Sequence, residues 1–91
     1  MQKHTVIINN NAGLHARPAS LFVNAAGKFK SDIRIIEGED VINGKSIIAV
    51  LSAGIKQGTE ISVVAEGDDE KEAIDKLVEL IEAGLGENGR G

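Results

Sequence analysis

KHTVIINNNAGLHARPASLFVNAAGKF, residues 3–29, changes its hydrophobic period part-way along, and that change decides the fold. Residues 3–8 are rich in β-branched side chains and end at the turn-forming NNNAG, which is the pattern of a strand. From Ala16 onward the apolar residues fall at Ala19, Phe22, Val23, Ala26 and Phe29, spaced as the buried stripe of a helix. Gly27 marks where that helix stops, within a residue or two.

Outward from this stretch the elements continue in order. DIRIIE, residues 32–37, sets Ile33 and Ile35 on one face and Arg34 and Ile36 on the other. A turn at Gly38 then joins it to the short strand EDVIN as a hairpin. SIIAVLSA, residues 46–53, is a compact apolar segment that Ser46 can cap. TEISVVAE alternates cleanly, with Ile61, Val63 and Ala65 inward and Glu60, Ser62 and Glu66 outward. In the last element Asp68 and Asp69 offer a cap, and Ala73, Ile74, Leu77, Val78 and Ile81 form a buried stripe that ends at Gly84 and Gly86. The order is βαββαβα. It predicts an α+β layer, a four-stranded and mostly antiparallel sheet with three helices on one face. Residues 1–86 make a single domain on this reading, and residues 87–91, ENGRG, a flexible tail.

Composition narrows the function. A chain of 91 residues has room for one core. With only Phe22 and Phe29 as aromatics, that core is built from Ile, Val, Leu and Ala. Without Trp or Tyr there are no stacking platforms for single strands, and a formal charge of −4 disfavours a phosphate backbone; nucleic acid is not the expected partner. The lack of cysteine removes disulfides, thiolate metal sites and a thiol nucleophile, and favours a cytoplasmic protein. The apolar run near the N-terminus is too short for a signal peptide or a membrane span. No metal-ligand spacing or cofactor loop stands out, so neither a metal nor a cofactor is expected.

The chemistry concentrates in GLHARPAS, residues 13–20. If the helix starts at Ala16, His15 is its N-cap and Pro18 lies in the first turn, where its missing N–H has no intrahelical partner to lose. The imidazole then sits beside uncommitted backbone N–H groups at the positive end of the dipole, a place that favours an anion. A neutral imidazole is a nucleophile, and Arg17 supplies a planar cation able to grip phosphate oxygens. Together they suit a histidine that accepts a phosphoryl group and releases it. Each residue also has an ordinary explanation as part of a helix start, and spacing leaves the two readings open. His4, in a strand with no such company, reads as a strand residue.

GLHARPAS, an apolar helix, and GKSII about thirty residues later resemble the HPr family, the histidine-containing phosphocarriers of the bacterial phosphoenolpyruvate-dependent sugar phosphotransferase system. The likeness runs over the whole chain less the tail and implies an open-faced β-sandwich. It implies that His15 is phosphorylated through Nδ1, with Arg17 as the phosphate's partner. The donor would be enzyme I, charged by phosphoenolpyruvate, and the recipients IIA components of sugar permeases. A monomeric carrier that is not itself a turnover enzyme is expected.

Ser46 carries a second implication. In some bacterial branches of the family the matching serine is phosphorylated by an ATP-dependent kinase/phosphorylase that serves carbon catabolite repression, which would add that kinase and a repression regulator as partners. Here IIAVLSAG follows the serine in place of the usual methionine-rich segment. That departure keeps open a nitrogen-related paralogue of the system, a regulatory protein-binding module. INGKSI is not a nucleotide-binding P-loop: five residues, not four, separate Gly38 from Gly44.

The helix after Ser46 is apolar around its circumference, so part of it must face solvent. Ile47, Ile48 and Leu51 are the expected exposed members of a docking patch, extended by Ala16, Ser20 and Leu21 from the first helix. Lys45 and Arg17 would attract acidic rims of partner proteins.

Overall fold

The computed structural model describes residues 1–86. It contains β1 (Gln2–Ile7), α1 (Ala16–Ala26), β2 (Asp32–Glu37), β3 (Asp40–Asn43), α2 (Ile47–Ala53), β4 (Glu60–Glu66) and α3 (Glu70–Glu82), the order expected from the sequence. The proposed tail, residues 87–91, lies outside the described residues.

The strands form one four-stranded sheet in the order β1-β4-β2-β3, and every neighbouring pair is antiparallel. Register explains its two faces. Val63 lies opposite His4 on one side and Ile35 on the other, and Ile35 lies opposite Ile42. The adjacent rows carry Ala65 with Ile33 and Ile61 with Val6. Apart from His4 at the β1 edge, these side chains are buried, and they share the core with Phe22, Val50, Leu77 and Ile81 of the helices. The opposite face carries Thr5, Ser62, Ile36 and Val41 in one row and Lys3, Val64, Arg34 and Asn43 in the next. Val64 is buried even there, in register between the exposed Lys3 and Arg34.

Three local details differ from expectation. α1 ends at Ala26, so Phe29 packs on the core from beyond the helix instead of prolonging its stripe. Asp69 stands at the N-cap position of α3, but its carboxylate makes no cap bond; it reaches across to the segment before β2. Beyond α3, Leu85 turns back into the core at φ +50 and is fully buried, which closes the fold at its C-terminal end.

Candidate functional site

The site begins with a turn. The Asn10 carbonyl accepts from the Gly13 N–H at 3.1 Å, and Gly13 adopts φ +64. A Cβ on Gly13 would collide with the carbonyl oxygen of Ile55, so only glycine lets the two backbones approach. Leu14, buried, donates its N–H to that same Ile55 carbonyl at 2.9 Å. The segment before His15 is thus fastened to the loop that follows α2.

Beyond these anchors the chain is left exposed. His15 takes extended angles, φ −127 and ψ 154, and is the N-cap of α1 by backbone geometry, while its ring makes no cap hydrogen bond. Ala16 enters the helix at φ +38, an unusual conformation for a residue with a Cβ. The N–H groups of Ala16 and Arg17 fall in the first turn, where no carbonyl lies four residues back inside the helix, and Pro18 has no N–H to satisfy. His15, Ala16 and Arg17 are all exposed, and Arg17 forms no ion pair with any described residue. His15, Arg17 and two amides with no backbone partner among the described residues therefore belong to one helix start, open to solvent. That arrangement can receive a tetrahedral oxyanion, since amides and guanidinium both donate to it.

Ser46 lies at the other end of the α1–α2 pair. Its Oγ accepts from Ala49 N–H at 3.1 Å and so caps α2. α2 then runs back toward the His15 turn, ending at Gly54 next to Ile55. Lys45 is drawn to this distal end, where its Nζ donates to the Phe29 carbonyl at 2.7 Å; its charge serves the C-terminal side of α1 and not the neighbourhood of His15. Of the expected exposed aliphatics, Ile48 is 73% and Leu51 38% exposed, while Ile47 is not. Ile47 packs against the core, because the apolar ring of this short helix turns that side toward the sheet. Ser20 is exposed one turn along α1 from Ala16, and Leu21 is half-buried.

Comparison with known proteins supplies the family. The family model described as PTS HPr component phosphorylation site matches residues 2–83. The chain belongs to the HPr family. It is 42% identical to the phosphocarrier protein HPr of Mycoplasma pneumoniae over 83 residues, covering 90% of this chain and 94% of that one. It is 38% identical to the HPr-like protein Crh of Bacillus subtilis, covering 90% and 96%. A solved structure of HPr from Thermoanaerobacter tengcongensis superposes with a TM-score of 0.92 at 49% identity, covering 94% and 97%, and another structure from that organism, described as an HPr dimer, gives 0.76.

Two contributors to the site escaped the sequence reading, Asn10 and Ile55. NNNAG reads as a turn, yet the signal for Asn10 was available: Asn at the first position of a turn with Gly at the fourth is a favoured pairing. The contact from Ile55 is tertiary, and no local pattern announces it. Away from His15, a groove of about 440 Å³ between β1 and α3 is lined by His4, Ile74, Asp75, Val78, Glu79 and Glu82. No cluster among the described residues has the donors to hold a metal ion, and no described helix is long and apolar enough to cross a membrane.

Proposed function

We propose that this chain carries a phosphoryl group on His15, taking it from enzyme I of the phosphotransferase system and passing it to IIA components of sugar permeases. One observation carries the reading: His15 is exposed at a helix start, which also holds two amides with no backbone partner and a guanidinium with no ion partner among the described residues. In the forward step a ring nitrogen, Nδ1 by family likeness, uses its lone pair to form an N–P bond as the phosphorus–donor bond breaks. The Ala16 and Arg17 N–H groups and the Arg17 guanidinium share the charge of the phosphoryl oxygens. Each helix-end contribution is about 0.3–1 kcal/mol at an exposed site, which suits a cargo that must be released.

Ile48 and Leu51 supply apolar contact for successive partners, with Ala16, Ser20 and Leu21 alongside. The exchange needs no second copy of the chain, and we take the working form to be a cytoplasmic monomer. A dimer at working concentration in light scattering would overturn that part.

We further propose that a kinase modifies Ser46 and that the added charge slows transfer. α2 is seven residues long, about 10 Å at 1.5 Å per residue, so the charge lies about one Debye length from the His15 turn at physiological salt. The effect therefore falls on docking at the α1–α2 face more than on the ring. The regulatory alternative, a binding module with no phosphate traffic, is disfavoured by the exposed His15.

Incubation with enzyme I and labelled phosphoenolpyruvate tests the main reading. The label should be acid-labile, stable to alkali, and absent in His15→Ala; a labelled His15→Ala chain would sink it.

A further inference from the structure

Asn10 is completely buried, a polar side chain placed under the turn that delivers His15. Its Nδ2 donates to the Gly13 carbonyl at 2.8 Å, while the Gly13 N–H returns a bond to the Asn10 carbonyl. The side chain thereby braces the turn from beneath at the residue where the backbone is already constrained by φ +64 and by its contact with Ile55. Leu14 is tied next, through its N–H, to the Ile55 carbonyl.

His15 follows at once, and no cap hydrogen bond holds its ring. Where the imidazole stands relative to the Ala16 and Arg17 amides is consequently inherited from the backbone of residues 10–14. A buried amide-to-carbonyl bond is well suited to this task, because water cannot replace it without opening the turn.

We propose that Asn10 is a positioning residue for phosphoryl transfer, acting through the Gly13 carbonyl to hold His15 in register with the amides at the start of α1. The inference rests on the reading of His15 as the acceptor. It concerns geometry at the reacting ring and not the docking face, so its loss acts on turnover while leaving partner affinity in place. Misplacement on the order of 1 Å costs about a hundredfold in such reactions.

The test is Asn10→Ala in the full chain, assayed with enzyme I and also with phosphoramidate, a small phosphoryl donor that needs no docking surface. The expected result is a loss of about ten- to a hundredfold in both reactions, carried by kcat with enzyme I while KM stays near wild type. Ile81→Val, a core change that also lowers the melting temperature, should leave both rates at the wild-type level when assayed well below its transition. A His15-labelled wild type matched in rate by Asn10→Ala overturns the positioning role alone, whereas a wild type unlabelled at His15 overturns the acceptor reading beneath it. Should Asn10→Ala fail to fold, hydrogen exchange decides in the wild-type chain. The Asn10 Nδ2 protons should remain protected before and after phosphorylation, and exchange as fast as that of a surface amide overturns the proposal.

Discussion

Ser31 and Asp69, on separate loops, are joined by two hydrogen bonds to one carboxylate oxygen: Ser31 Oγ–H donates to Asp69 Oδ1 at 2.5 Å and Ser31 N–H at 2.9 Å. Lys30 N–H fills the other oxygen at 2.8 Å. The Ser31 hydroxyl, followed by the Lys30 amide, holds the Asp69 carboxyl below its ordinary pKa. A carboxyl depressed by folding adds stability that is fully present above its unfolded value and lost as pH falls through the folded value. Asp69→Asn should therefore melt below wild type at pH 7, and the gap should close progressively below about pH 4, the unfolded range of an aspartate. Melting curves of both chains across pH 2–7 check it; a gap independent of pH would contradict it.

Arg17→Ala should leave the fold alone, with stability within about 0.5 kcal/mol of wild type, because the residue is exposed and forms no ion pair with any described residue. Phosphorylation of His15 should nonetheless slow, and Arg17→Lys should recover only part of the rate, since an ammonium cannot match two oxygens with a planar fork. Equal rates for all three chains would remove Arg17 from the site.

Ser46→Ala should cost about 1 kcal/mol in chemical denaturation, from loss of the cap to Ala49. Ser46→Asp keeps an acceptor at the cap and should retain near-wild-type stability, while transfer from enzyme I slows through a raised KM. A Ser46→Asp chain with wild-type KM and kcat would reject the regulatory role.

Ile48→Glu and Ile47→Ala should separate docking from packing. The first removes an exposed aliphatic and should weaken transfer at little cost in stability. The second takes methylenes from a side chain packed against the core and should lower stability by roughly 1–3 kcal/mol, less than a fully buried site would. Denaturation paired with transfer kinetics distinguishes them.

Gly13→Ala should destabilise by more than about 1 kcal/mol, since φ +64 and the Ile55 carbonyl both oppose a Cβ. Denaturant unfolding measures it directly.

The element order and the helix-facing rows were legible because they depend on period: Ile33 with Ile35, and Ile61, Val63 and Ala65, alternate as buried strands must. His15 was legible as an N-cap because Gly13 and Pro18 bracket a helix start. What escaped depended on contacts distant in sequence. Asp69 has the right residue type and position for a cap, yet Ser31, thirty-eight residues away, offers its carboxylate three-fold satisfaction with Lys30. Ile47 and Ile48 are equally apolar, and only the orientation of α2 on the sheet decides which of them is wet. Val64 looks misplaced on an open face until Lys3 and Arg34 are seen flanking it.

The exposure of His15 among exposed neighbours has a consequence for how the chemistry is divided. A ring presented on an outer surface offers no hollow in which to shut out the solvent. On the proposed reading of His15 as the acceptor, the dry enclosure for phosphoryl exchange has to be built by the visiting protein around the outstretched imidazole, and this chain can meet its cleft without altering its own shape.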